Sequence, residues 1–418
     1  MQQTQFRTID ALMGQGKTTL IINELKAVPS NSNQRYIFIT PYNDEVERIT
    51  KAAPHLKFVT PSDETHSTKL NSFHDLVAAG HNIVSTHELF KRWSDETLML
   101  LSDFGYHLII DEVVDCVRQY GTSKDDKPDS VMLCRDTGTI QEDDKNYLRW
   151  KSAKSYSSYN SIKRDCDQGR LILLPDKKDG LFFWEFPIVL LKAFHSVTIL
   201  TYMFDASYMA AYLRSHNVEP ERLTLDQNGK LVPWSEEHER VAIEPLARLI
   251  NIIEDDKLNA LGDEPNALSS SWFSKTASSK DKRQLGKNVR NFFEHRSRST
   301  SKDERMWSCV EAVKDSISPP HNAKTFVSCN LRATNKHKGC NSVAYLRNIF
   351  PTPTMARYFK ERSEVSIDSQ RYALAEFLQW LFRSAIRDGK PVDVYLPSKR
   401  MRNIVKSWMN DERAKIAV

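Results

Sequence analysis

The chain has 418 residues, 40% hydrophobic and 27% charged, a composition typical of globular proteins with two or three domains. Its longest apolar runs, such as Leu108–Ile110, fall far short of the roughly 20 residues of a membrane-spanning helix, so we expect no membrane protein. The net charge of +5 permits a polyanionic partner without requiring one. The six cysteines form no C-x-x-C pair and Met1–Asp10 is polar, so we expect a cytoplasmic protein with reduced thiols and no targeting segment.

The first 113 residues alternate between strand-like and helix-like segments. Strands are predicted over Phe6–Leu12, Arg35–Thr40, Asn82–Ser85 and Leu108–Asp111, and helices over Thr18–Val28 and Asp44–Ala53. This alternation predicts an α/β fold with a mostly parallel sheet and helices on both faces.

Residues 116–186 interrupt this rhythm, because they are polar and mixed in charge, and we interpret them as an insertion. Val197–Thr201 resumes the buried-strand pattern. A second series follows, with Thr325–Ser328, a long helix over Gln370–Arg387 and a last strand over Val392–Leu396. We therefore predict a first domain over residues 1–205, which carries the insertion, and a second over residues 206–418.

The segment Ser269–Arg305 is rich in serine, lysine and arginine, with four interleaved aromatic residues: Trp272, Phe273, Phe292 and Phe293. It has two interpretations. One is a solvated surface of helices and loops. The other is a nucleic-acid-facing surface, since cations contact phosphates and aromatic rings stack on bases.

A glycine loop opens the chain, with the sequence A-L-M-G-Q-G-K-T over Ala11–Thr18. The backbone N–H groups of such a loop face nucleotide phosphates, and the helix that follows adds positive potential. We expect Lys17 to reach the β- and γ-phosphates and Thr18 to hold Mg²⁺ through its hydroxyl. Ala11 replaces the usual first glycine. The predicted nucleotide-binding residues are Met13, Gly14, Gln15, Gly16, Lys17, Thr18 and Thr19.

A pair of carboxylates, Asp111 and Glu112, ends the apolar strand Leu108–Ile110. Ligands bind at the carboxyl edge of parallel sheets, which is where this pair is predicted to lie. We expect Asp111 to bind Mg²⁺ and Glu112 to orient and deprotonate the attacking water.

Gln379, Arg383 and Arg387 are spaced by four residues, which places them on one face of the predicted helix. An arginine pair in this position could stabilise charge on the γ-phosphate, as an arginine finger does. A surface stripe that docks on a neighbouring acid is the alternative.

Together these residues resemble the motifs of the superfamily 2 helicases, the DEAD/DEAH-like group, and look most like the compact versions encoded by bacteriophages. The matching segments are Ala11–Thr18 (motif I), Thr40–Tyr42 (Ia), Ser85–His87, Asp111–Glu112 (II), Leu200–Ser207 (III), Arg332–Asn335 (V) and Gln379–Arg387 (VI). Motif VI departs from the family pattern, because Phe382 replaces a glycine and Arg387 comes one residue late. Arg383 is therefore the better candidate for the arginine finger.

The resemblance implies two RecA-like domains that hydrolyse ATP with Mg²⁺ and step along nucleic acid, with DNA (single-stranded or forked) the expected track and replication proteins as further partners. It also implies nucleic-acid contacts by Thr40, Tyr42, Thr86, His87 and Thr334. A translocase that does not unwind is a close alternative. A terminase-like motor is another, although its second half needs clustered acids. A nucleotide-gated binding module without turnover is the third.

Overall fold

The computed structural model describes residues 3–41, 43–64, 68–102, 104–154, 157–175, 180–317, 325–329 and 336–410. The chain forms two compact units, and neither is contiguous in sequence. The first consists of Met1–Asp10, Lys17–Leu223 and Thr352–Ile367, and the second of Ala11–Gly16, Thr224–Pro351 and Asp368–Val418.

The N-terminal part alternates between strand and helix, as its hydrophobic pattern predicts. Its strands are β1 (Gln5–Asp10), β2 (Tyr36–Thr40), β3 (Ile83–Thr86) and β4 (His107–Asp111). Its helices are α1 (Lys17–Ala27), α2 (Asn43–Ala52), α3 (Lys69–Ala78), α4 (His87–Phe90) and α5 (Asp95–Leu101). Short polar side chains begin two of them, since the Thr68 hydroxyl accepts from the Asn71 amide and Ser94 forms a capping box with Thr97.

The predicted insertion is present as a small antiparallel region. Its elements are β5 (Val117–Gln119), α6 (Pro128–Asp136), β6 (Ile140–Glu142), β7 (Leu148–Trp150), α7 (Asn160–Asp167), β8 (Leu171–Leu174) and β9 (Leu181–Glu185). They form a three-stranded sheet in the order β5-β9-β8 and a two-stranded sheet of β6 and β7.

The chain then returns to the main sheet through α8 (Ile188–Leu191), β10 (Ser196–Thr201), α9 (Tyr208–Ser215), β11 (Glu221–Leu225) and β12 (Leu231–Pro233). The seven-stranded sheet has the order β12-β11-β1-β10-β4-β2-β3. Its pairs from β11 through β3 are parallel. In the register, Asp10 faces Thr201 and Leu200 faces Asp111, so the carboxyl ends of these three strands lie at one edge.

The later part of the chain builds a second parallel sheet, in the order β13-β16-β15-β14. The remaining elements are α10 (Glu236–Ala247), β13 (Ile250–Ile252), α11 (Asp256–Asn259), α12 (Ser270–Lys275), α13 (Ser279–Asn291), β14 (Arg305–Cys309), α14 (Lys314–Ile317), β15 (Ser342–Leu346), α15 (Pro353–Ser363), α16 (Ser369–Leu381), β16 (Val392–Tyr395) and α17 (Lys399–Asn410). Two sheets of parallel strands confirm the predicted α/β fold class. Within the described residues, no helix has both the length and the apolar character needed to cross a membrane.

Helix α15 belongs to the first unit, although strands of the second unit precede and follow it in sequence. Its Tyr358 and Phe359 are buried in the core that the insertion shares with the main sheet. The Tyr358 ring lies 4.4 Å from that of Phe183, centroid to centroid, and its hydroxyl donates to Glu185. The core of the first unit is therefore completed by residues far away in sequence.

The aromatic residues of the basic segment are buried. Trp272 is 9% exposed and the other three rings are at most 1% exposed, all within the core of the second unit. These rings are not available to stack on bases, so the aromatic half of the nucleic-acid interpretation of Ser269–Arg305 is wrong. The hydrophobic effect explains the difference, because burial of large rings outweighs their position among charged neighbours.

The predicted long helix over Gln370–Arg387 is too long. Helix α16 ends at Leu381, and a short 3-10 turn over Ala385–Asp388 follows. The Ala385 amide donates to the Cys340 carbonyl, which draws the backbone away from a helical path. Predicted strand Thr325–Ser328 is reduced to one isolated bridge between Phe326 and Trp307.

Candidate nucleotide site

The glycine loop connects the end of β1 to the start of α1. Gly14 and Gly16 have φ angles of +82° and +91°, a region that residues with a Cβ rarely adopt. The loop is also tied to itself, because the Leu12 amide donates to Gln15 Oε1 at 3.0 Å and the Gln15 amide donates to the Leu12 carbonyl at 3.3 Å. Such a loop presents backbone N–H groups to an anion.

Lys17 begins α1 and is 7% exposed. Burial lowers the pKa of its ammonium group, while the nearby carboxylates of Glu112, Asp111 and Asp10 act in the opposite direction. A lysine in this setting is a fixed positive charge surrounded by acids, and added phosphate groups would strengthen its charged form.

The hydroxyl of Thr18 lies 3.4 Å from Asp111 Oδ1 and 3.3 Å from Oδ2. Burial and the neighbouring Glu112 raise the pKa of Asp111 to about 7, although Lys17 and the Thr18 hydrogen bond act against this rise. A hydroxyl and a carboxylate side by side are the protein ligands that Mg²⁺ uses when phosphates and waters complete its shell. The residues therefore fit a magnesium ion, and among the described residues no cluster of three or more acids, histidines or cysteines offers a closed metal site.

Glu112 has a strained backbone and an unsatisfied side chain. Its φ angle is +63°, which is unusual for a residue with a side chain, and its amide donates to the Leu200 carbonyl at 2.9 Å. Its Oε2 atom is buried and has no hydrogen-bond partner within the described part of the chain. Buried acceptors are normally paired, so this oxygen is a candidate acceptor for a water at the site.

Asp10 is a site residue to which the sequence interpretation assigned no role. It is 2% exposed, and its carboxylate accepts from the amides of Met203 at 2.7 Å and Phe204 at 3.1 Å. Arg222 Nε donates to the same carboxylate at 2.8 Å, and Arg222 also pairs with Asp205. An acid at the end of an apolar strand, directly before the glycine loop, was the only signal for this network in the sequence.

The residues predicted to contact nucleic acid differ in how far they are buried. His87 is 7% exposed and its Nε2 lies 2.9 Å from the Asp111 carbonyl oxygen, so it supports the backbone of the carboxylate pair. Thr40 is fully buried, and Thr86 is half-buried at the end of β3. Tyr42 and Thr334 lie outside the described residues.

Gln379, Arg383 and Arg387 do not share a helix face, because α16 ends at Leu381. Arg383 is 4% exposed and donates to the carbonyls of Ser328 at 2.7 Å and Cys329 at 3.0 Å. Gln379 is half-buried and Arg387 is exposed. In this conformation the guanidinium of Arg383 supports its own unit, and that of Arg387 is accessible.

Comparison with known proteins identifies relatives of this chain. A family model described as the YonV C-terminal Rossmann-like domain matches residues 244–409. The SPbeta prophage-derived uncharacterized protein YonV of Bacillus subtilis (strain 168) is 33% identical over 420 residues, which cover 97% of this chain and 99% of that protein.

The fold is also similar to that of solved structures with low sequence identity. A structure of XPD in the apo state has a TM-score of 0.50 at 12% identity, with 96% of this chain and 95% of that chain covered. The structure of S. tokodaii Xpd4 has a TM-score of 0.45 at 13% identity, with 99% and 94% covered. The similarity to the XPD structure concerns the fold alone, and it confirms the predicted α/β fold with two RecA-like domains.

Proposed function

The chain belongs to the YonV family, and we propose that it is an ATP-driven motor that moves along nucleic acid and unwinds it. The contact of Thr18 with Asp111, at 3.3 to 3.4 Å, is the observation that carries the proposal. It joins the hydroxyl that follows the glycine loop to the carboxylate that ends β4. Phosphoryl transfer in P-loop enzymes needs these two groups at one metal ion, close to the lysine that holds the phosphates.

In the proposed reaction each group of the site has one task. The amides of Gly14 and Gly16 and the ammonium of Lys17 bind the phosphates, while the Gln15 amide donates to the Leu12 carbonyl. Thr18 and Asp111 would hold Mg²⁺, which would supply positive charge against the phosphate oxygens. Glu112 orients a water and accepts its proton through the carboxylate whose Oε2 is buried without a partner in the described residues.

The helicase resemblance supplies the remaining proposed groups. Arg387 is the exposed member of the arginine pair, so we assign to it the stabilisation of charge on the γ-phosphate during turnover. Gln379 is its proposed companion. Arg383 instead holds the backbone at Ser328 and Cys329.

The proposed track is DNA, single-stranded or forked, in the replication or recombination of a phage and in the cytoplasm of its host. The prophage origin of the Bacillus subtilis relative supports this setting. Replication proteins are proposed as further partners. Thr86, half-buried at the end of β3, is the described residue best placed among the candidates to contact a strand.

Strand displacement tests the unwinding part of the proposal. Forked DNA, blunt duplex DNA and an RNA fork of the same sequence are incubated with the protein, ATP and Mg²⁺, and release of a labelled strand is followed. We expect release from the DNA fork with ATP, and none with Lys17→Ala. ATP hydrolysis without release from any fork would favour a translocase that does not unwind, and nucleotide binding without hydrolysis would favour a binding module.

A further inference from the structure

A pocket of about 340 Å³ lies in the second unit against the glycine loop. Gln15 of the loop lines it, and the other lining residues come from the end of β11, the turn that follows it, and α10. This volume is within the range of roughly 300–1,000 Å³ found for small-molecule sites. The phosphate-binding chemistry described above gives this pocket no role.

We propose that the pocket binds the adenine base of the nucleotide whose phosphates lie on the glycine loop. Gln15 stands two residues before Lys17, so a ligand held by the loop amides is directly beside the pocket. This inference rests on the proposed function, because it names the base of the same nucleotide and the residues that select it.

Part of the lining suits the flat face of a base. Leu225, Val241 and Ala242 contribute apolar surface, and Leu225 is only 4% exposed. A planar heterocycle loses water from the surface that it lays against such side chains, and apolar side chains favour this transfer.

The polar lining suits the edge of adenine. Gln227 and Asn228 are exposed side-chain amides, and such amides pair in bidentate fashion with the N6 donor and N7 acceptor of adenine. Glu237 adds a carboxylate that is paired with Arg240, and its remaining lone pairs can accept a hydrogen bond from the N6 amine. Guanine carries an acceptor, O6, at that position, and a carboxylate repels it.

The turn that carries the two amides is already ordered. Asp226 Oδ1 accepts from the amides of Asn228 at 2.9 Å and Lys230 at 2.8 Å, and Gly229 has a φ angle of +74°. On α10, His238 Nδ1 lies 2.8 Å from Ser235 Oγ, so the orientation of that ring is held as well. A site that is ordered before its ligand arrives loses little entropy on binding.

Calorimetric titration of the full chain with ATP, GTP and inorganic tripolyphosphate, each with Mg²⁺, tests the pocket separately from the phosphate site. Two pocket variants are compared: the double variant Gln227→Ala/Asn228→Ala, and Ala242→Phe, which fills the apolar side. We expect ATP to bind at least tenfold more weakly to each, as loss of a bidentate base contact implies. Tripolyphosphate affinity should change less than twofold, and the unmodified chain should prefer ATP to GTP.

Asn291→Ala, another exposed amide of the second unit, serves as the matched control and should leave ATP affinity unchanged. Both amides of the double variant are exposed, so this variant decides the matter even where Ala242→Phe fails to fold. Unchanged ATP affinity in the double variant, or equal affinity of the unmodified chain for ATP and GTP, would overturn the adenine pocket. If neither ATP nor tripolyphosphate binds the unmodified chain, the result contradicts the proposed function itself, and the adenine pocket is then contradicted as well.

Discussion

The carboxylate of Asp10 accepts a hydrogen bond from the amide of Met203 at 2.7 Å, although 193 residues separate them in the chain. Asp10 directly precedes the glycine loop, and Met203 lies in the segment that resembles helicase motif III. The same carboxylate pairs with Arg222, 2.6 Å away. One buried acid therefore connects the end of β1, directly before the glycine loop, to the segment that follows β10.

Asp10→Asn tests that connection. The variant removes the buried charge of Asp10 that pairs with Arg222, whereas the pair of Arg222 with Asp205 remains, so we expect a loss of about 1.5–3 kcal/mol of unfolding free energy. Urea denaturation measures the loss. Glu221→Gln, an exposed change on neighbouring β11, should stay within about 0.5 kcal/mol of the unmodified protein. Equal midpoints for the two variants would contradict the structural role of Asp10.

Asp111→Asn tests the metal assignment. The amide keeps the shape of the side chain but loses the charge that holds Mg²⁺, so we expect the Mg²⁺ concentration for half-maximal hydrolysis to rise at least tenfold. Nucleotide affinity in EDTA should be unchanged or slightly stronger, because a negative charge near the phosphates is removed. A Mg²⁺ dependence identical to that of the unmodified protein would rule out Asp111 as a ligand.

Glu112→Gln tests the water-activating role. A glutamine fits the same space but cannot accept the proton, so kcat for ATP should fall by about 10²–10⁴-fold. The KM should change little. The change exchanges Oε2, which has no partner in the described structure, for another polar atom of similar size, so we expect only a small change in the free energy of unfolding. Loss of less than fivefold in kcat would assign proton transfer to another group.

The buried acid Glu185 predicts a dependence of stability on pH. Burial raises its pKa, but hydrogen bonds from His216, Tyr358 and Tyr147 together outweigh this and hold the pKa below its ordinary value. An acid whose pKa is lowered in the folded state stabilises the fold above its unfolded pKa, and this contribution disappears as pH falls through the folded pKa. Stability of the unmodified protein should therefore drop below about pH 4.5, and Glu185→Gln should make that drop shallower.

Tyr358→Phe, which removes one of these hydrogen bonds to Glu185, should lower the free energy of unfolding by about 1 kcal/mol at neutral pH. The loss would show that α15 is bound to the insertion. If Glu185→Gln and the unmodified protein lose stability in parallel between pH 6 and 3, Glu185 is not the group responsible.

Substitutions of Arg383 and Arg387 should have different effects, one on stability and the other on the rate of ATP hydrolysis. Arg383→Ala removes the two hydrogen bonds that the guanidinium donates to the carbonyls of Ser328 and Cys329, so we expect the free energy of unfolding to fall by about 2 kcal/mol or more. Arg387→Ala, at an exposed position, should leave stability unchanged and lower kcat for ATP. Unfolding curves and steady-state rates measured on both variants check this. A loss of kcat in Arg383→Ala without any loss of stability would reverse the assignment.

Sequence patterns predicted the fold class and the strand–loop–helix setting of the glycine loop because those signals are local. A glycine loop needs positive φ angles within a few residues, and an acid pair at the end of an apolar strand needs only that strand. The insertion was also visible as a local change in polarity.

Other features depend on residues that are distant in the chain. The partners of Asp10 lie about two hundred residues away, and α15 joins a core built from residues before 224. The true end of α16 depends on a contact between Ala385 and Cys340, which no helical periodicity reveals. The charged neighbours of the aromatic rings around Phe292 suggested a surface segment. These rings are buried in the core instead, because burial of large apolar rings is favourable.

Steady-state ATP hydrolysis with saturating single-stranded DNA, compared with the rate without it, tests the central claim most directly. We expect DNA to stimulate the rate at least tenfold in the unmodified protein, and Lys17→Ala to abolish both rates. RNA in place of DNA shows which nucleic acid is the track. Hydrolysis that is the same with and without every nucleic acid, or that survives in Lys17→Ala, would contradict a nucleic-acid motor driven from this site.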